Sequence, residues 1–345
     1  MAQINKPSEY FNTVLYTGND ASNRAITGYN FSPDLVWHKS RSNPYNHYLF
    51  DKVRGVGKSL FSNLTSAEDT SSFTTSFNSF DSDGFTVTQV GGIEMNQNAV
   101  TYANWGWKAN GAGVSNTDGS ITSTVSANTT SGFSIVSFTA PASGNFTVGH
   151  GLSSPPEMII IKNRDISQAW YVLHKDLSSF TDRYLILNGT NAEITYSMMS
   201  QTPSNSLLYL KVGATADANN NHIIYCFNSV KGYSKFGSYV GNGNADGTFV
   251  YTGFKPAMVI AKRTNSTGNW RIRDNKRSPN NVITDVLYPN SSSATITEDD
   301  HDFLSNGFKV RTTGPENNAS GGTFIYMAFA ENPLVGTNNI PTTAR

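Results

Sequence analysis

The sequence contains one cysteine, Cys226, among 345 residues. That excludes an internal disulfide framework and any zinc cluster built on thiolates. Cys226 lies in the apolar run IIYCF, where it reads as a small buried hydrophobe rather than a reactive thiol. Charge is scarce as well: 14% of residues are charged, 25 basic against 25 acidic, for a net charge of zero. No basic stripe is available for nucleic acid, and no long-range field would steer a charged partner. No run is long and apolar enough to insert in a membrane, and the opening MAQINKPSEYFNTVLYTG lacks the apolar core of a signal peptide. Without a secretion signal, the Asn-X-Ser/Thr triplets at Asn63, Asn128, Asn145, Asn188, Asn265 and Asn318 read as products of an Asn/Ser/Thr-rich composition.

Catalytic signatures are missing too. The six histidines (38, 47, 150, 174, 222 and 301) are scattered without metal-ligand spacing. There is no G-x-S-x-G elbow, and Gly55-Val56-Gly57-Lys58-Ser59 lacks the first glycine of a phosphate-binding loop. Nothing points to an enzyme or to a cofactor. Paired glycosidase carboxylates carry no local signature, so a polysaccharide depolymerase stays among the alternatives.

What is present is β-structure. Aromatics make up 12% of the chain, enough to fill cores. Short β-branched and aromatic runs bounded by Asn, Gly and Ser recur throughout, and no amphipathic helix of three turns stands out, which predicts an all-β protein.

The runs repeat. Pro33, Pro156 and Pro256 each precede by six residues a lysine: Lys39, Lys162 and Lys262. Eight residues further come His47, Trp170 and Trp270, and four beyond those Asp51, His174 and Asp274. Arg54 and Arg277 follow the two aspartates by three. Next come LFSN at Leu60–Asn63, LILN at Leu185–Asn188 and LYPN at Leu287–Asn290, each with an alanine four residues on (Ala67, Ala192, Ala294). FDSDGFTV (Phe80–Val87) is echoed by FLSNGFKV (Phe303–Val310) and weakly by LLYLKV (Leu207–Val212), and an apolar run closes each unit. The expectation is three tandem antiparallel β-sandwiches of jelly-roll or lectin-like kind, about 100 residues each, at 14–110, 131–230 and 235–333. Residues 1–13 read as an N-terminal arm, 111–130 as a linker with one strand in it, and 334–345 as a tail.

Within a unit, Met258–Lys262 is apolar on both faces, as a central strand covered on each side should be. A polar turn follows. Beyond it Trp270, Ile272 and Asp274 share one face while Arg271 and Arg273 point the other way. In S-[DN]-G-F-x-V, Gly84 and Gly307 are expected to supply a positive φ.

The repeated Lys–turn–Trp–x–x–x–Asp–x–x–Arg set has two readings. As a site, Trp170, Trp270, Asp274 and Arg277 would bind glycan, an aromatic face flanked by hydrogen-bonding groups. As structure, the tryptophan fills a core while Lys, Asp and Arg pair at strand ends; the drift to His47 and His174 suits this better. Asp81-Ser82-Asp83-Gly84 resembles the start of a calcium loop, but turn chemistry is the better account and no metal is expected. Glu298, Asp299, Asp300 and Asp302 beside His301 read by default as a solvated acidic turn.

The openings PSEYFNTVLYTGND and GYSKFGSYVGNGNADGTFVYTGFKPAMVIAKR, with the closing FIYMAFAENP and the C-terminal PTTAR, resemble tandem β-repeat structural proteins of tailed, mostly marine, bacteriophages. The resemblance spans nearly the whole chain. It implies a non-enzymatic virion component, a tail fibre or other exterior appendage contacting host-surface glycans. The alternatives are a head decoration or head fibre, and a carbohydrate-binding module or depolymerase. Implied partners are other virion proteins and further copies of the chain, a homotrimer being favoured. Neither nucleic acid nor membrane insertion is implied. The location implied is the virion exterior, reached from the host cytoplasm without a signal peptide.

Overall fold

The chain in the computed structural model, which describes residues 2–336, 341 and 342, is all-β, and its strand pairings are antiparallel. Met1 and most of the tail after 336 lie outside the described residues.

Three large sheets share one strand order. The first runs Phe11–Thr17, Thr101–Trp107, Leu35–Ser40, Tyr48–Asp51, with Leu60–Phe61 at its end. The second repeats this as Phe133–Thr139, Asn221–Phe227, Met158–Asn163, Tyr171–His174, and the third as Ser234–Val240, Thr323–Pro333, Phe254–Arg263, Arg271–Asp274. Each faces a smaller sheet: Arg24–Thr27, Gly84–Val87 and Phe77–Asp81 in the first case, Asn145–Gly149 and Leu207–Lys211 in the second. Phe249–Tyr251, Gly307–Val310, Ile296–Leu304 and Ile283–Val286 make up the third.

The period-2 alternation of strands explains the layering. Val36, Ile159, Ile161, Val259 and Ala261 turn toward the smaller sheet of their own pair and fill three separate sandwich cores. Their neighbours Leu35, Trp37, Met158, Ile160, Met258 and Ile260 turn the opposite way and meet in one common core. The two-faced apolar runs therefore have two different burials to make, and the second joins all three large sheets. At its centre Trp107, Phe227 and Phe329 pack mutually, ring centroids 5.6 to 6.5 Å apart. They hold the same register position, opposite Leu35, Met158 and Met258 respectively.

Three expectations need correction. The segment expected as a linker contributes two strands, Val114–Asn116 and Ser123–Asn128, which extend the second sheet beyond Phe133–Thr139. The N-terminal arm is tied down: Ile4 is buried and its N–H donates to Lys231 O at 3.0 Å, while Phe11 stacks on Phe329. Gly84 and Gly307 do not share a left-handed φ, since Gly307 is not among the positive-φ residues. What they share is crowding, because a Cβ would sit 1.8 Å from Ile26 O and 2.1 Å from Val250 O, where the neighbouring edge strand passes.

Phe329 contacts both other central rings and also Phe11 and Phe236. Phe329→Ala is expected to cost about 3–5 kcal/mol, read as a shift of the urea midpoint with a single transition retained. A loss below about 1 kcal/mol would show that the common core does not hold the sheets together.

Candidate functional site

The hairpin that follows each repeated lysine is where the sequence concentrates its polar and aromatic signals, and the structure brings all of them to the contacts between large sheets. Lys39 Nζ donates to Tyr45 O at 2.6 Å and to Ser292 O at 2.9 Å. Lys162 Nζ donates to Gln168 O at 2.8 Å and Thr65 O at 2.9 Å, and Lys262 Nζ to Arg263 O at 2.6 Å and Thr190 O at 3.4 Å. Each ammonium thus bonds its own turn and a loop from another of the three assemblies. Burial, which penalises the charged form, lowers Lys39 to about 7 and Lys162 and Lys262 to about 8.

The tryptophans follow the same cycle. Trp170 Nε1 donates to Phe61 O and Trp270 Nε1 to Ile186 O, both at 2.8 Å. Their backbone N–H groups are held by Asn188 and Asn290, and His47 N is held likewise by Asn63, which explains the recurring asparagine. Main-chain bonds repeat the cycle once more: Glu68 N to Arg164 O, Glu193 N to Thr264 O and Thr295 N to Arg41 O, each 2.8 Å. At the position of the tryptophans, His47 Nδ1 instead accepts from Trp37 Nε1 at 2.9 Å within its own sheet.

The aspartates complete the lattice. Asp51 Oδ2 takes Arg54 Nε at 2.5 Å and the Tyr225 hydroxyl at 2.8 Å. Asp274 Oδ2 takes Arg277 Nε at 2.5 Å and Trp105 Nε1 at 3.1 Å. Tyr225 and Trp105 each stand two residues before a central ring, and Met327 holds that place in the third sheet. Opposite Met327's place in the cycle the aspartate is His174, and the arginine three residues later is Leu177. Acid, base and polar partner are thus replaced together by a neutral set. This is the substitution that avoids an unpaired buried charge. His174 Nδ1 still accepts from Asp176 N, so the turn keeps its cap.

Four residues expected to contact glycan therefore need correction. Trp170 and Trp270 are 0% and 1% exposed, Asp274 0% and Arg277 6%. An indole with both faces packed offers no platform to a sugar, and the ion pair has no oxygen or N–H presented to solvent. The acidic run is also not a turn: it lies in the strand Ile296–Leu304, and the Asp299 side chain lies outside the described residues. Asp300 is buried and pairs with Arg273, and His301 Nδ1 lies 2.8 Å from its Oδ1. Among the described residues no group of three His, Cys, Asp or Glu could hold a metal ion. Asp81 and Asp83 spend their carboxylates on Ser79, Thr86, Gly28 and Asn30. Cys226 is buried, which pushes its thiol up to about 12.

Residues 6–333 match the family described as Domain of unknown function (DUF7483). The chain is a member of the DUF7483 family. The match starts just before the first large sheet and ends with Pro333, the last residue of the third, so all three sheets and their shared core fall inside it. No curated protein and no solved structure matches the chain.

Two outcomes follow for this DUF7483 chain. Asp274→Asn leaves Arg277 buried without its countercharge and is expected to destabilise by about 3–5 kcal/mol, measured by chemical denaturation. A neutral result would remove the ion pair from the lattice. Every histidine has its pKa lowered, chiefly by burial: His38 and His150 to about 4, His174 to about 3, and His47, His222 and His301 downward. Between about pH 6.5 and 4 the unfolded chain then binds protons that the folded chain refuses, so stability falls as pH falls, by up to about 1.4 kcal/mol per pH unit per histidine. The lowered lysines carry the trend upward, stability rising between about pH 7 and 10. Urea midpoints at pH 5, 7 and 9 should increase in that order; a flat profile would contradict it.

Proposed function

We propose that the chain is a non-enzymatic structural component of a tailed-phage virion, built from three tandem sandwich repeats of about 100 residues closed into one body. The observation that carries this reading is the use of the repeated polar set. The repeated lysines, tryptophans and Asp–Arg pairs, which an enzyme or binding protein would be expected to present, are spent on contacts between the repeats. What they make is a closed body of zero net charge, from a sequence rich in Asn, Ser and Thr. Such a body suits assembly by shape and hydrogen bonding.

The placement on the virion exterior, as a tail fibre or similar appendage with other virion proteins as partners, rests on the resemblance of the opening and closing motifs. Homo-oligomerisation belongs to the same proposal, a trimer being favoured because fibres are built on closed symmetry. Each chain would bring to it a core that is already complete.

Mass spectrometry of purified particles of the encoding phage tests the reading. The protein is expected among the virion proteins, at a copy number set by its symmetry. Its absence from intact particles, or release of reducing ends when it is incubated with host polysaccharide, would overturn it.

A further inference from the structure

Each sandwich carries a surface cleft at the same place, beside the residue nine positions after the repeated lysine: Tyr48, Tyr171 or Arg271. Two of the clefts are strutted by their own side chains. In the third sandwich Arg271 bridges Glu298 and Glu316 across the opening. In the first, Tyr48 donates to Glu94 at 3.0 Å and Tyr45 to Gln97 at 2.6 Å, while Tyr48 and Phe73 are buried.

The cleft of the second sandwich, about 180 Å³, differs. Its walls are Tyr171, Tyr184 and Tyr196, the first two edge to face at 5.3 Å. Tyr196 is 53% exposed, one of the few large hydrophobic side chains so open among the described residues, and its hydroxyl donates to Gly213 O at 3.3 Å. The polar groups here are unspent. Among the described residues the Tyr171 hydroxyl accepts from Gln168 Nε2 and finds no acceptor for its own proton, and the Tyr184 hydroxyl makes no hydrogen bond. Asp217 receives Asn163 Nδ2 on Oδ2 at 2.7 Å, and among the described residues nothing donates to Oδ1. Burial and the neighbouring Tyr184, Asp217 and Tyr196 raise the Tyr171 pKa, so its phenol stays a donor.

We infer that this cleft is a binding site for a neutral pyranose sugar. A pyranose has one face of C–H groups, polarised positive, which meets the negative face of an aromatic ring, and a rim of hydroxyls. Exposed Tyr196 supplies the ring, the tyrosine hydroxyls supply donors and Asp217 an acceptor that can take two adjacent hydroxyls. No lysine or arginine lines the cleft, so the Asp217 carboxylate disfavours acidic sugars. The matched clefts serve as internal controls: where the fold needs only closure, the position is bridged. The inference rests on the reading of an exterior appendage, for which the resemblance implies contact with host-surface glycans, but it concerns the isolated protein and does not depend on the particle.

Saturation-transfer NMR on the full chain with the methyl α-glycosides of glucose, galactose, mannose and N-acetylglucosamine tests it, with glucuronic acid as the acidic arm. At least one neutral glycoside is expected to show saturation of its ring C–H protons. Tyr196→Ala, at an exposed position, and Asp217→Asn are each expected to weaken binding roughly five-fold or more, with Tyr45→Ala in the first cleft leaving it unchanged. Silence from all four neutral sugars, a dissociation constant from saturation-transfer titration that Tyr196→Ala leaves unchanged, or glucuronic acid binding as well as the neutral sugars would overturn the assignment. Presence of the protein in virions would not rescue it, and its absence from them would not refute it.

Discussion

The structure depends on a surplus of apolar surface. A sandwich of two sheets needs one buried face on each, yet the central strands of all three large sheets are apolar on both. At roughly 25 cal/mol per Å² buried, an exposed second face would cost each sheet many side chains' worth of hydrophobic stabilisation. Each second face is covered by the two others, so the three sandwiches solve one problem jointly. The polar lattice follows from that closure. Once the sheets meet, backbone carbonyls at the seam are cut off from water, and the lysine ammoniums and indole N–H groups are what satisfy them.

Much of this was legible in order but not in depth. The recurring Asn positions answer a local backbone need, since Asn63, Asn188 and Asn290 hold the N–H of the residue that starts the hairpin's second strand, whereas each recurring lysine also reaches a loop far away in the chain. The two-faced run Met258–Lys262 read correctly as covered on both sides. Periodicity reports that a face is buried and is silent on what buries it, so Trp170 and Trp270 could be read as a platform when they were a seam. A signal for the seam did exist in the sequence. Leu177 stands where Arg54 and Arg277 stand, and His174 where their aspartates stand, a joint change that an exposed sugar site would not require. The acidic run at Asp300 was misread because its cation, Arg273, is a neighbour only across sheets.

The cleft of the second sandwich was invisible for a different reason. Tyr171, Tyr184 and Tyr196 sit in the second sandwich, and their positions gain meaning only against Tyr48 and Arg271. Where two sandwiches bridge a gap and one leaves it open, the exception carries the information.

The ring of contacts also has an order in time. Lys39 closes on Ser292, 253 residues away, and Arg41 on Asp285, 244 away. A ribosome therefore releases the first sandwich long before the loop that seals it exists. Until then the face bearing Trp37 and Trp105 lies open beside the second sheet, held by two walls of three. Long-range contacts of this kind slow folding and lengthen the time for which apolar surface stays uncovered. The zero net charge gives that uncovered surface little electrostatic protection. The arrangement that closes the finished body thus leaves its common face uncovered until Thr323–Pro333 enters the third sheet.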